Sequence, residues 1–138
     1  MIVAAVDPGR EKCGLAFVAE DGRVLEQAIV ETAKLADELL ARCGRFPPEA
    51  LVLGNGTSSR AAEAALRRAL PSLAVEIVDE YRTTDDARRA YWEAHPPTGW
   101  RRLLPTGMQV PPVPVDDFAA VILGRRYLEK CAEEKKGR

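Results

Sequence analysis

The sequence predicts an α/β fold: a mixed five-stranded sheet that opens with a three-strand antiparallel meander, continues by strand–helix alternation and is covered by helices on both faces. Three observations predict it. Two apolar runs, Ile2 to Val6 and Cys13 to Val18, stand a few residues apart. An Asp21-Gly22 hairpin signal then returns the chain through residues 23–31. After that, short apolar segments alternate with segments of helical period. The 138 residues, 46% hydrophobic and 30% charged, suit one core, so 1–138 reads as a single domain without internal repeats.

Residues 2–7 read as a central strand, apolar on both faces, that ends in Asp7-Pro8-Gly9. Residues 12–19 and 23–31 complete the meander. Ala36, Leu39, Leu40 and Cys43 then recur at helical spacing, with Glu38 and Arg42 as a surface i,i+4 pair. Gly44 and Pro47-Pro48 stop that helix. Leu51-Val52-Leu53 is a short buried strand running into Gly54-Asn55-Gly56. A second helix starts near Thr57 or Ser58, buries Ala62, Ala65, Leu66 and Ala69, and ends at Pro71. Residues 74–80 form the fifth strand. Thr83-Thr84-Asp85-Asp86 starts a third helix, with a hydroxyl cap and acids in the first turn. Its stripe is Ala87, Ala90, Tyr91 and Ala94, and His95-Pro96-Pro97 ends it. Residues 96–115 are rich in Pro and Gly and aperiodic, a long loop of the kind that carries function or stays disordered. Asp116 caps a last helix to about Ala132, and the charged tail 133–138 frays.

Composition removes several function classes. No apolar run approaches the ~20 residues that span a bilayer, and no basic segment precedes an apolar stretch at the start. The expectation is a cytoplasmic protein without a membrane partner. Cys13, Cys43 and Cys131 show no metal-ligand or redox spacing and read as reduced, buried thiols. His95 is the single histidine, which argues against a zinc site. A formal net charge of −1 argues mildly against nucleic acid, whose phosphates are bound by Lys and Arg. Acids gathered around a bound cation would reverse that argument locally.

Asp7 is the most informative residue, a carboxylate at the end of a buried strand beside a sharp turn. Val78-Asp79-Glu80 and Asp116-Asp117 offer it partners. Asp7 and Glu80 would stand near the carboxyl ends of their strands, where open α/β sheets carry their sites. Asp116 shares a helix face with Ala119, Ala120 and Leu123, and the two alanines let that helix approach the sheet. A set of carboxylates suits Mg²⁺, a hard cation that prefers oxygen. Each residue also has a plainer role open to it: Asp7 in a turn, Glu80 at a solvated strand end, Asp116 as a helix cap. Asp117 is a helix-dipole acid or, in another register, the ligand in place of Asp116. Gly54 to Ser59 could hold a phosphate on backbone N–H groups or be a tight turn with a cap. Lys12 contacts nucleic acid or occupies a solvated strand start. Trp100-Arg101-Arg102, in the long loop, can stack on an unpaired base and pair with phosphate. Arg88, Arg89 and Trp92, off the alanine stripe of the third helix, would extend that surface.

Four stretches carry a resemblance, in order along nearly the whole chain. They are Val6-Asp7-Pro8-Gly9 with Lys12 and Gly14, Leu51 to Gly54, Asp79-Glu80 with Thr83-Thr84, and Asp116 with Ala119-Ala120, Ile122-Leu123 and Tyr127-Leu128. The chain thereby resembles the YqgF/RuvX family, relatives of the RuvC resolvases with a ribonuclease H-like fold. The resemblance implies that Asp7, Glu80 and Asp116 are the catalytic acids and hold Mg²⁺ or Mn²⁺, two ions in all. It implies a metal-dependent endonuclease on structured nucleic acid, either maturing the 5′ end of precursor 16S rRNA or cutting branched DNA such as Holliday junctions. Lys12, Arg82 and Trp100 to Arg102 would engage the backbone, and paired cuts would need a homodimer. The chain departs from the family pattern at Gly54-Asn55-Gly56, where Gly-Leu-Pro is usual, and at Tyr81-Arg82, where Arg directly follows the Asp-Glu pair. Those departures motivate an alternative, a non-catalytic nucleic-acid-binding or scaffold module on the same fold.

Overall fold

A computed structural model describes residues 1–56, 58–79, 83–96 and 116–136, with residues 83–85, 116 and 136 described by their backbone. The meander is β1 (Ile2–Asp7), β2 (Lys12–Ala19) and β3 (Val24–Glu31). A 3₁₀ turn, Thr32–Lys34, leads into α1 (Leu35–Cys43). Then come β4 (Ala50–Gly54), α2 (Ser59–Ala69), β5 (Ala74–Val78), α3 (Thr83–Ala94) and α4 (Asp116–Lys136). The sheet order is β3-β2-β1-β4-β5, antiparallel within the meander and parallel from β1 through β4 to β5. Asp21-Gly22 makes the expected hairpin. Gly22 takes φ +88°, a conformation that costs other residues, and the Asp21 carboxylate accepts from the Arg23 N–H at 3.0 Å.

Strand alternation sorts the core into two layers. Ala4 and Val6 of β1, Cys13, Leu15 and Phe17 of β2, and Leu51 and Leu53 of β4 face α1 and α2, meeting Leu35, Leu39, Ala62 and Leu66. Val3 and Ala5, with Ala16, Val18, Ala50 and Val52, face the other way and meet Ala120, Val121, Leu123 and Leu128 of α4. β1 is therefore apolar on both faces because both are covered. α3 packs on α4 through an aromatic group in which the Tyr91 ring stands 6.0 Å from Phe118 and stacks on His95 at 4.8 Å.

Tertiary packing revised three helices. α1 buries Leu35 and Leu39, while Leu40 stays 43% exposed. Arg42 points inward and reaches Glu38 Oε2 at 2.7 Å and Glu26 Oε2 of β3 at 3.0 Å. α3 buries Trp92 with Ala87 and Tyr91, and leaves Ala94 exposed, so Trp92 belongs to the packing and not to an outer surface. Arg88 and Arg89 are exposed as expected. α4 continues to Lys136, beyond the expected end near Ala132, so residues 133–136 are helical and not a frayed tail. Of the cysteines only Cys13 is buried, and all three are free. On α4, burial first and the Cys131 thiol second push the Tyr127 phenol up to about 12, with Glu76 and Glu134 adding to the shift. Among the described residues no helix is long and apolar enough to cross a membrane.

Candidate functional site

The site is built where β1, β4 and β5 finish side by side. Asp7 closes β1 opposite Gly14 of β2, and Gly54 of β4 pairs with Val78 of β5 at the same end. By alternation from Val3 and Ala5, Asp7 belongs to the sheet face crossed by α4. It is half-buried. Lys12 and Gly14 share that face, because Cys13 and Leu15 between and beyond them face α1 and α2. Lys12 is exposed and makes no ion pair among the described residues. A carboxylate and an ammonium group thus border one open strand end.

The loop between them is stiff. A Cβ on Gly9 would run into the Lys12 carbonyl oxygen, so the turn closes only with glycine at that place. The Gly9 carbonyl accepts from Thr32 Oγ1 at 2.9 Å, and the Thr32 N–H donates to the Glu11 carbonyl at 2.8 Å. These bonds anchor residues 8–11 to the end of β3. The turn beside Asp7 is therefore held from the neighbouring strand.

α4 is fixed over the sheet at three places. At its start, Asp117 Oδ2 accepts from Gln27 Nε2 of β3 at 2.9 Å, and Oδ1 accepts from the Phe118 N–H at 3.1 Å. With a donor on each oxygen, Asp117 serves to dock the helix. At its middle, Gly124 lies against the sheet: a Cβ there would sit 3.1 Å from Val18 Cγ2 and 3.3 Å from Ala5 Cβ. Ala119 and Ala120, the alanines expected to let the helix approach, are buried one turn earlier. Next to it, Arg126 Nη1 donates to the Asp79 carbonyl at 3.1 Å and Nη2 to Asp86 Oδ2 of α3 at 3.0 Å. Neither Gly124 nor Arg126 stood out in the sequence. A glycine inside an apolar helical stretch was the available signal for the first.

Of the expected site residues, Asp7 and Lys12 stand on one face at one strand end, and Asp116 opens the helix that crosses that face. Glu80, Arg82, Trp100, Arg101 and Arg102 lie outside the described residues, as does most of the 96–115 loop. Among the described residues no group of three or more His, Cys, Asp or Glu is arranged to hold a metal. Gly54-Asn55-Gly56 leads toward α2, whose first residue follows Ser58, and the Ser58 side chain makes no cap bond there.

A five-stranded sheet ordered β3-β2-β1-β4-β5, with an antiparallel meander on one side, parallel strands on the other and helices on both faces, defines the ribonuclease H-like fold. No family model matches the chain, and no curated protein matches it. Solved structures do. Thermus thermophilus RuvC in complex with a Holliday junction substrate is similar over 99% of this chain and 97% of that one, at 20% identity and a TM-score of 0.63. A second Thermus thermophilus RuvC structure matches at 20% identity over 90% of each chain, with a TM-score of 0.59. The Fowlpox virus resolvase, in complex with Holliday junction DNA, matches at 16% identity over 95% of this chain and 99% of that one, with a TM-score of 0.57. At such identities the likeness is one of fold.

Proposed function

We propose that the chain is a metal-dependent endonuclease of structured nucleic acid, with branched DNA as its first substrate class and a precursor rRNA 5′ region as the second. The observation that carries the reading is Asp7: a half-buried carboxylate at the end of the central strand, on the face crossed by α4, beside a turn held rigid by Gly9 and Thr32. The resolvases of like fold were solved with Holliday junction DNA, which favours the branched substrate. The YqgF/RuvX motifs favour the RNA alternative.

The donor set fits a hard cation. Asp7, Glu80 and Asp116 offer only carboxylate oxygens, the chemistry that Mg²⁺ and Mn²⁺ select over nitrogen and sulfur. Bound there, such ions supply charge for the attacking and leaving oxygens of an in-line phosphoryl displacement. The protein's own part is positional. Asp7 is held by a closed strand pair and a braced loop, so its carboxylate would offer its oxygens to a cation without reorganising. Lys12, on the same face and without an ion-pair partner among the described residues, supplies a cation for a backbone phosphate next to the cut. Arg82 and Trp100 to Arg102 would extend this contact, Trp100 by stacking on an unpaired base. A homodimer would let two such sites cut a junction symmetrically.

The test is cleavage of a labelled panel: a four-way DNA junction, plain duplex, single-stranded RNA and a precursor-rRNA 5′ fragment. Each is incubated with Mg²⁺, Mn²⁺ or EDTA, beside Asp7→Asn. Cleavage that needs the metal and is lost in Asp7→Asn is the expected result, and the preferred lane names the substrate. Full activity in Asp7→Asn would remove the site assignment. Binding without cleavage in every lane would instead establish the scaffold reading, which the altered 54–57 and 80–82 segments favour.

A further inference from the structure

We propose that the β1–β2 turn carries a phosphate subsite of its own, in which Arg10 joins Lys12 to hold two neighbouring phosphates of one nucleic-acid strand. The inference rests on the nucleic-acid reading above and gives the strand a path: from the end of β1, over the turn, to the end of β3. Its first ground is shape. Arg10 and Lys12 line one open depression of about 540 Å³, together with Glu11 and with Glu31, Thr32 and Ala33 from the end of β3. Its second ground is charge. Both cations are exposed, and neither makes an ion pair among the described residues. Of the two acids beside them, Glu31 is answered by Lys34 at 3.7 Å, which leaves Glu11 as the opposing charge. The third ground is stiffness. Thr32 Oγ1 donates to the Gly9 carbonyl at 2.9 Å, and the Thr32 N–H donates to the Glu11 carbonyl at 2.8 Å. The Cys13 thiol lies 3.3 Å from the same hydroxyl oxygen. The backbone under Arg10 and Lys12 is thus clamped from Gly9 to Cys13, and cations on a clamped backbone lose less freedom when they bind. The Thr32 hydroxyl is committed within the protein, so contact with a ligand falls to the two cations. They are two residues apart, at most ~7 Å along the chain. The planar fork of Arg10 suits two oxygens of one phosphodiester, and Lys12 acts as a point charge on the next.

Two residues supply controls of opposite kinds. Glu11 repels a phosphate in the depression, so its removal should strengthen binding while that of Arg10 weakens it. Arg23 is exposed and also makes no ion pair among the described residues, but it belongs to the β2–β3 hairpin, at the opposite end of the sheet from Asp7. An effect of net charge alone predicts equal consequences for Arg10 and Arg23.

The experiment is the salt dependence of binding, read by fluorescence anisotropy of a labelled four-way DNA junction and a labelled precursor-rRNA 5′ fragment. EDTA prevents cleavage. The proteins are the full chain and its Arg10→Gln, Arg10→Lys, Lys12→Gln, Glu11→Gln and Arg23→Gln variants, each shown to be folded by circular dichroism and thermal melting. A phosphate contact contributes about 0.9 to the slope of log affinity against log salt on duplex arms. Between about 50 and 200 mM salt, Arg10→Gln and Lys12→Gln should therefore each lose affinity for the junction about 3.5-fold less steeply than the parent. Arg10→Lys should keep the parent slope, Glu11→Gln should bind more tightly, and Arg23→Gln should bind as the parent does. A parent slope in Arg10→Gln, with a reduced slope in Lys12→Gln, overturns the subsite and leaves the nuclease reading standing. Equal changes in Arg10→Gln and Arg23→Gln, or weaker binding in Glu11→Gln, overturn it as well. A parent chain that binds neither nucleic acid overturns the nucleic-acid reading and the subsite with it.

Discussion

Gly124→Ala sets two terms of known sign against each other. In a helix interior the change alone stabilises by about 1 kcal/mol, because glycine loses more backbone entropy on folding. Here the added methyl carbon would stand 3.1 Å from Val18 Cγ2 and 3.3 Å from Ala5 Cβ, with Val18 Cβ at 3.6 Å. Carbon atoms prefer about 3.5–4.0 Å. Val18 and Ala5 are fully buried in the two central strands, so neither can swing aside and the helix must lift. Overpacking of this kind costs about 1–3 kcal/mol. With rigid neighbours on both contacts the upper half of that range applies, and the net effect is a destabilisation of about 1–2 kcal/mol. For a domain of this size that lowers Tm by roughly 4–8 °C. Urea denaturation of Gly124→Ala, Val18→Ala and the double variant measures it. Val18→Ala removes the nearest methyl, so the double variant should lose at least 0.5 kcal/mol less than the sum of the singles, the lower bound for residues in contact. A more stable Gly124→Ala protein, or strict additivity in the cycle, would refute the close seating of α4 on β1 and β2.

Two further outcomes follow from local geometry. Gly9→Ala drives a methyl group into the Lys12 carbonyl oxygen. It should cost about 2 kcal/mol or more and reduce cleavage beyond the loss of folded protein; a melt and an activity indistinguishable from the parent would show that the turn is not braced. Tyr127 carries its phenol at about 12 in the folded chain against about 10 when unfolded. The unfolded chain releases that proton first, so the contribution is full below pH 10 and is lost as pH rises toward 12. Comparing Tm across pH 9 to 12 for the parent and Tyr127→Phe isolates it, and parallel curves would contradict the assignment.

The order of elements was readable because it rests on local pattern. The apolar runs Ile2 to Val6 and Cys13 to Val18, the Asp21-Gly22 turn and the proline stops each act over a few residues, and Asp7 was visible as the polar end of an apolar strand. What the pattern could not contain was which residue of one element lies over which of another. Leu35 replaced Leu40 in the α1 stripe because the 3₁₀ turn sets the helix phase. Trp92 turned inward on the helix that packs on α4, where Tyr91 meets Phe118. Gly124 and Arg126 acquire meaning only from Ala5, Val18, Asp79 and Asp86, partners at least 40 positions distant in the chain.

The two layers of the core differ in how far along the chain they reach. Among the described residues, the layer under α1 and α2 draws on residues 2 to 75. The layer under α4 joins Val3 and Ala5 to Ala120 and Leu123, segments separated by more than a hundred residues. Contacts of such separation carry the larger loop-closure entropy. The first layer can therefore close early, while the second waits for α4 to arrive. Because Asp7 belongs to the face that α4 covers, a chain with only its first layer closed has a half-core and no apposition of Asp7 with the helix that begins at Asp116. The face that carries Asp7 is therefore completed by the last helix of the chain.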